Sequence, residues 1–211
     1  MRRKTKPVRK LVLGEISKIQ DWVGDALKNQ KGKTVGKIVQ SLNETCQLPY
    51  MSFHQQRASN LSDAVLVAGL CQYEKRQAEI DIYLQYSESV VSFTTPFNQD
   101  FPVRVVATIL HELTHRKQFG KWCGDEINRE STDNKTYLNE HIEVDAFALE
   151  IAYELWTKNK TSILRDIDNL DPYTCPHLTE YRIEFGKYHP TYKRLIKKIV
   201  LNLAELGVDK F

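Results

Sequence analysis

The sequence predicts an α+β fold, with helices and strands in separate blocks. Three observations carry this. Apolar residues recur at three- and four-residue steps near both ends of the chain. Between about residues 50 and 95 the period falls to two, and β-branched residues gather. The blocks then run helices, strands, helices, which is not the alternating order of a parallel sheet covered on both faces. A chain of 211 residues with 41% hydrophobic and 27% charged residues suits one globular domain. It is long enough to bury a core without disulfides or metal as staples.

The elements follow in order. Leu13, Ile16, Ile19, Val23 and Leu27 define an amphipathic helix within residues 11–30. KGKTVGK reads as a loop, and VGKIVQSLNETCQL as a second short helix ended by Pro49. AVLVAGLCQY, EIDIYLQYS and VVSFTT are β-prone, giving two to four strands in a small antiparallel or mixed sheet with short turns such as YSES. Ile80, Ile82 and Leu84 alternate onto one face. A helix spans 102–119, with Val103, Val106, Ile109, Leu110 and Leu113 facing a core and Gly120 at the stop. Residues 120–136 are polar and Gly/Asn/Asp-rich, as a surface loop is. One long helix is expected over 137–158, then a mixed stretch. A last helix covers about 190–206, with Pro190 in its first turn. The organisation is a basic flexible tail, 1–10, and a single domain, 11–211. Its core lies at about 60–158 and its C-terminal helical part at 159–211.

Net charge is only +3, but unevenly spread. Residues 1–40 carry 11 Lys/Arg against 3 Asp/Glu, and the first ten include six basic residues. Such a tail is a solvated arm, or a weak contact with nucleic acid or another acidic partner. No nucleic-acid motif accompanies it, and Trp22, Trp122 and Trp156 are too scattered for a stacking platform. No stretch approaches a membrane span, so no membrane partner is expected. LVLGEISKIQDWV lacks a cleavage site. Cys46, Cys71, Cys123 and Cys175 lack paired spacing. Both facts predict a cytoplasmic protein with reduced thiols.

The chemistry sits at His111-Glu112-Leu113-Thr114-His115. On a helix, residues four apart share a face, so the two imidazoles can offer nitrogen to one zinc ion. Glu112 lies about 100° round the helix from His111. There it can reach a water on the ion's open side, which is the place of a general base. A catalytic zinc needs a third protein ligand and an open position. The next helix offers Glu140, His141 and Glu143; Glu140 and Glu143 share a face, and His141 turns away. His54 has no partner at metal spacing and reads as structural or solvent-facing.

HELTH followed 28 residues later by Glu143-Val144-Asp145-Ala146-Phe147-Ala148 resembles the zincin metallopeptidases, in particular the Glu-zincins, including small phage and bacterial zincins and the ImmA/IrrE-like peptidases. The resemblance covers about residues 75–156. It implies a zincin-like fold, with the sheet packed on the HExxH helix and on a second, ligand-bearing helix. It implies a zinc metallopeptidase acting on a protein or peptide in the cytoplasm of a bacterium, or of its host if phage-encoded. His111, His115 and Glu143 are then the metal ligands and Glu112 the catalytic base. Small residues at Ala146 and Ala148 would let the two helices approach. Several Glu-zincins carry an aspartate four residues after the ligand, where this chain has Phe147. Asp145 stands four after His141 instead, so a three-histidine site, or a supporting role for Asp145, stays open. Zincins often place an oxyanion donor in the C-terminal third. Tyr188 and His189, just before the last helix, are favoured over His177 and Tyr192. Two other functions fit the same residues: a zincin-fold adaptor without proteolysis, and an SprT-like protease steered to nucleic acid by the basic N-terminus.

Overall fold

The computed structural model describes residues 13–28, 32–58, 65–74, 77–87, 100–119, 133–165 and 175–208. The basic tail, the run VVSFTT and most of the 120–136 loop lie outside the described residues. The elements are α1 (Ile16–Ala26), α2 (Val35–Thr45), β1 (Met51–Arg57), β2 (Val65–Glu74), β3 (Gln77–Tyr86), α3 (Phe101–Phe119), α4 (Asn134–Asn139), α5 (His141–Thr157), a 3-10 turn (Thr161–Leu164), α6 (Pro176–Phe185) and α7 (Pro190–Glu205). The fold class is α+β, with seven helices and one small sheet among the described residues.

The sheet order is β1-β3-β2, with β3 central. β2 and β3 form the expected antiparallel pair, in which Cys71 opposes Ile80 and Gly69 opposes Ile82. β1 runs parallel to β3, with Met51 beside Ile80, so the sheet is mixed. Alternation puts Met51, Phe53, Val65, Cys71, Ala78, Ile80, Ile82 and Leu84 on one buried face. β1 lies outside the runs that the sequence marks as β-prone. Only Met51 and Phe53 alternate in it, and residues 54–57 are exposed. The strand is held by its ladder and by Asn43, whose amide donates to the Phe53 carbonyl and accepts from the Phe53 N–H, both at 2.9 Å. A side chain on α2 thus occupies the backbone groups that an edge strand would leave open.

α3 packs across the buried face of the sheet. The cluster it completes runs from Ile16 and Trp22 on α1, through Ile38 and Leu42 on α2 and the strands, to Leu110 and Leu113, and on to Leu149 and Tyr153 of α5. Arg116 fastens the end of α3 to the sheet: Nε donates to the Ala78 carbonyl at 3.1 Å, and the guanidinium lies 3.4 Å from the Tyr50 ring centre. Gln20 of α1 donates to the Tyr153 hydroxyl at 3.0 Å, tying α1 to α5.

α5 is buried nearly all round, the pattern of a central helix. Its Leu149 and Tyr153 join the first cluster, whereas Val144, Phe147, Ala148, Ile151 and Leu155 join a second cluster with α6 and α7. The expected helix over 137–158 is two helices broken at Glu140, whose backbone is extended. The break has a visible cause. α7 takes hold of Asn139, with Arg194 donating to its carbonyl at 2.9 Å and Thr191 bonding its side chain. α4 starts at Asn134, inside the stretch expected to be loop, because Asp133 caps it through the Thr136 N–H at 2.8 Å. The mixed stretch after residue 158 contains α6, with Pro176 in its first turn and Gly186 at φ 69° at its end. No helix among the described residues is long and apolar enough to cross a membrane.

Leu110 is fully buried in the cluster that the sheet, α3 and α5 share. Leu110→Ala is expected to lower unfolding free energy by about 2–5 kcal/mol, the range for a buried leucine that leaves a cavity. A urea unfolding curve within about 0.5 kcal/mol of wild type would contradict the packing described.

Candidate metal centre

His111 and His115 lie on one face of α3, and both are buried. Glu143, in the first turn of α5, has no exposed surface. The Nε2 atoms of the two histidines stand 2.9 Å apart, and Glu143 Oε2 lies 3.2 Å from His115 Nε2 and 3.5 Å from His111 Nε2. Three ligands of a tetrahedral ion at 2.0–2.2 Å would span edges of about 3.3 Å. The observed triangle has that size.

The protonation of the rings follows from their other sides. His111 Nδ1 lies 2.8 Å from Glu150 Oε2, and a carboxylate only accepts, so Nδ1 carries the hydrogen. His115 Nδ1 lies 3.0 Å from Gln118 Oε1. The amide orientation is set because Gln118 Nε2 donates to the Ile142 carbonyl at 3.2 Å. His115 Nδ1 therefore donates as well. Both Nε2 atoms then present lone pairs to the same point, beside a carboxylate. Three electron-pair donors converge there, and only a proton or a cation can reconcile them. Among the described residues, His111, His115 and Glu143 form the one group of such side chains placed to hold a metal ion.

The charges agree with this. Burial would push the His111 imidazole down, but Glu143 and Glu150 outweigh it and raise its pKa to about 10. Glu143 is pulled well below the usual carboxylate range despite its burial, by the same two histidines. Glu150 is also lowered: burial raises it, and His177 and His111 more than compensate.

No protein-family model, curated protein or solved structure matches the chain.

Glu112 is buried beside the cluster, and its burial raises its carboxyl pKa against the opposing pull of His111 and His115. It is pressed against β2. A Cβ added to Gly69 would stand 2.5 Å from Glu112 Cγ and 2.6 Å from Oε1. Only glycine leaves that space, which is a common reason for glycine inside a strand.

Of the other third-ligand candidates, His141 has a side chain 68% exposed and lies 3.7 Å from Asp145. Asp145 is bonded by Lys198. Glu140 sits in the break between α4 and α5. None of the three joins the cluster. Ala146 shares the face of Glu143 and Glu150 and is fully buried, as a close helix approach needs. Ala148 belongs instead to the second apolar cluster. Tyr188 is 76% exposed. His189 caps α7 by accepting from the Thr191 N–H at 3.2 Å. Neither touches the cluster by a hydrogen bond, ion pair or ring contact. His54 bonds Asp81 at 2.8 Å across the strands, away from the cluster.

Three residues of the site carry no role in the sequence analysis: Glu150, Gln118 and Gly69; His177, ranked there below Tyr188 and His189, is the C-terminal histidine that lies beside Glu150. Glu150 had a signal. It stands seven residues after Glu143, two helical turns on and nearly in line with it. Its second oxygen lies 3.4 Å from His177 Nε2, and His177 Nδ1 lies 3.5 Å from Glu180. These polar groups run from His111 towards the surface. Pro176 and Gly186 bracket the helix that brings His177 there.

Two outcomes are expected. Glu150→Gln keeps the shape but weakens the acceptor for His111, so metal affinity should fall roughly 10- to 100-fold; competition with a chromophoric chelator measures this, and unchanged affinity would deny Glu150 its part. The second concerns pH. His111 is raised from 6.5 to about 10, so its protonation stabilises the metal-free fold fully below about 6.5, and that stabilisation is lost as pH rises through about 10. A bound ion displaces this proton. The gap in Tm between metal-loaded and metal-free protein should therefore widen across that interval, and a gap independent of pH in calorimetry would sink the assignment.

Proposed function

We propose that this chain is a zinc-dependent metallopeptidase of the zincin type, acting on a protein or peptide. One observation carries the proposal: two imidazole nitrogens, each turned inward by its own acceptor, meet the Glu143 carboxylate at one buried point. Imidazole nitrogen suits zinc better than magnesium or calcium. Three protein ligands leave a position open, as catalytic zinc sites do and structural ones do not.

When bound, the ion would supply Lewis acidity, acidifying water and polarising a carbonyl oxygen. The residues of the chain do the rest. Glu112 takes the proton that water loses on attacking the scissile carbonyl, and returns it to the departing amine. Its raised pKa makes it a stronger base than an exposed glutamate. Glu150 and Gln118 hold the two imidazoles in one tautomer and one orientation. β2 is an edge strand of the described sheet, and an extended substrate beside it would pass Glu112 at Gly69.

Elemental analysis is expected to find about one zinc per wild-type chain and none in His111→Ala/His115→Ala. Glu112→Gln should keep the ion and lose roughly 10²- to 10⁴-fold in turnover of a quenched-fluorescence peptide library. Gly69→Ala should behave likewise, since the nearest atoms to its methyl are those of the Glu112 side chain, which it displaces. A wild-type chain that takes up no zinc on reconstitution removes the basis of the proposal. One that binds zinc and cleaves nothing leaves a metal-holding adaptor instead.

A further inference from the structure

α7 carries four cations, of which two are engaged: Arg194 donates to the Asn139 carbonyl and Lys198 bonds Asp145. The other two, Lys193 and Lys197, stand one turn apart and exposed. Among the described residues, no carboxylate pairs with either. Like charges four apart on a helix repel. Both lysines border a cavity of about 440 Å³, and Arg165 and Lys187 complete its basic rim. The remaining lining is Leu164, Ile196 and Tyr192, so among the described residues no carboxylate lines the cavity.

The two halves of this lining ask for different things. Four cations around the rim of one concave space attract anions more strongly than the same charges spread over open surface. The apolar side favours a body that can leave water. A bare phosphate would meet the rim and leave Leu164 and Ile196 wet. An uncharged apolar ligand would fill the space and leave the cations facing it. The volume falls within the usual range of small-molecule sites. None of the lining residues belongs to the His111–His115–Glu143 cluster, and the site does not depend on the peptidase reading.

We propose that the cavity between the 161–164 turn, the 186–189 turn and α7 binds a free organic polyphosphate of nucleotide size. Its phosphates sit on Arg165, Lys187, Lys193 and Lys197, and its less polar body on Leu164, Ile196 and Tyr192.

Isothermal titration of the purified full chain with ATP, without added magnesium, tests this. Saturable binding at one site is expected. Lys193→Gln/Lys197→Gln should weaken it at least about tenfold, since two charge-assisted bonds are lost. Both lysines are exposed, so the variant keeps the fold. Lys37→Gln, on α2, should change nothing. Tripolyphosphate should bind at least about tenfold more weakly than ATP, because it leaves the apolar side uncovered. No ATP binding, equal binding by the double variant, or equal binding of tripolyphosphate each overturns the proposal. A single-stranded oligonucleotide that binds where ATP does not would also overturn it, marking a nucleic-acid surface instead.

Discussion

A carboxylate with no exposed surface is tolerated inside a protein only when other groups compensate its charge. Glu143 is such a group, and two histidines from another helix supply the compensation. That one interaction sets the distance and rotation of α3 against α5. Everything around it is consistent with the constraint. Ala146 is small where the helices close, Leu149 and Tyr153 continue the same stripe into the core, and Gln118 reaches across to the Ile142 carbonyl. The pair of helices is thus held by apolar packing along its length and by a polar clasp at one end.

The clasp is built so that each ring nitrogen has one task. Nδ1 of either imidazole is spent on an acceptor, a carboxylate for His111 and an amide oxygen for His115. The difference is not idle. The carboxylate raises the basicity of His111, and it connects that ring onward to His177 and Glu180 on α6. α6 is thereby joined to the site by polar groups, and by aromatic ones too, since Phe147 packs edge-on against His111 and also contacts Tyr181. The second apolar cluster therefore supports the candidate metal centre from the side away from the sheet.

Much of the fold was legible because local pattern and tertiary burial agree. The steps of Ile16, Ile19 and Val23, and the alternation of Ile80, Ile82 and Leu84, name the faces that are buried. β1 was not legible, because hydrogen bonds to β3 and to Asn43 hold it while most of its side chains stay in water. The break at Glu140 was not legible either. No residue there is a helix breaker, and the contacts responsible come from Thr191 and Arg194, some fifty positions on.

At the site the division runs the same way. The sequence by itself determined the pair His111 and His115 with Glu112 between them, because a helix period brings residues four apart to one face whatever surrounds it. It also narrowed the third donor to three residues. Only the tertiary structure decided among them. α5 turns Glu143 into α3 and leaves His141 exposed, because the two histidines compensate the Glu143 charge there. Only tertiary structure brought Gly69, Gln118, Glu150 and His177 to the same place. Contacts between distant segments obey no period, so nothing local in the chain announces them.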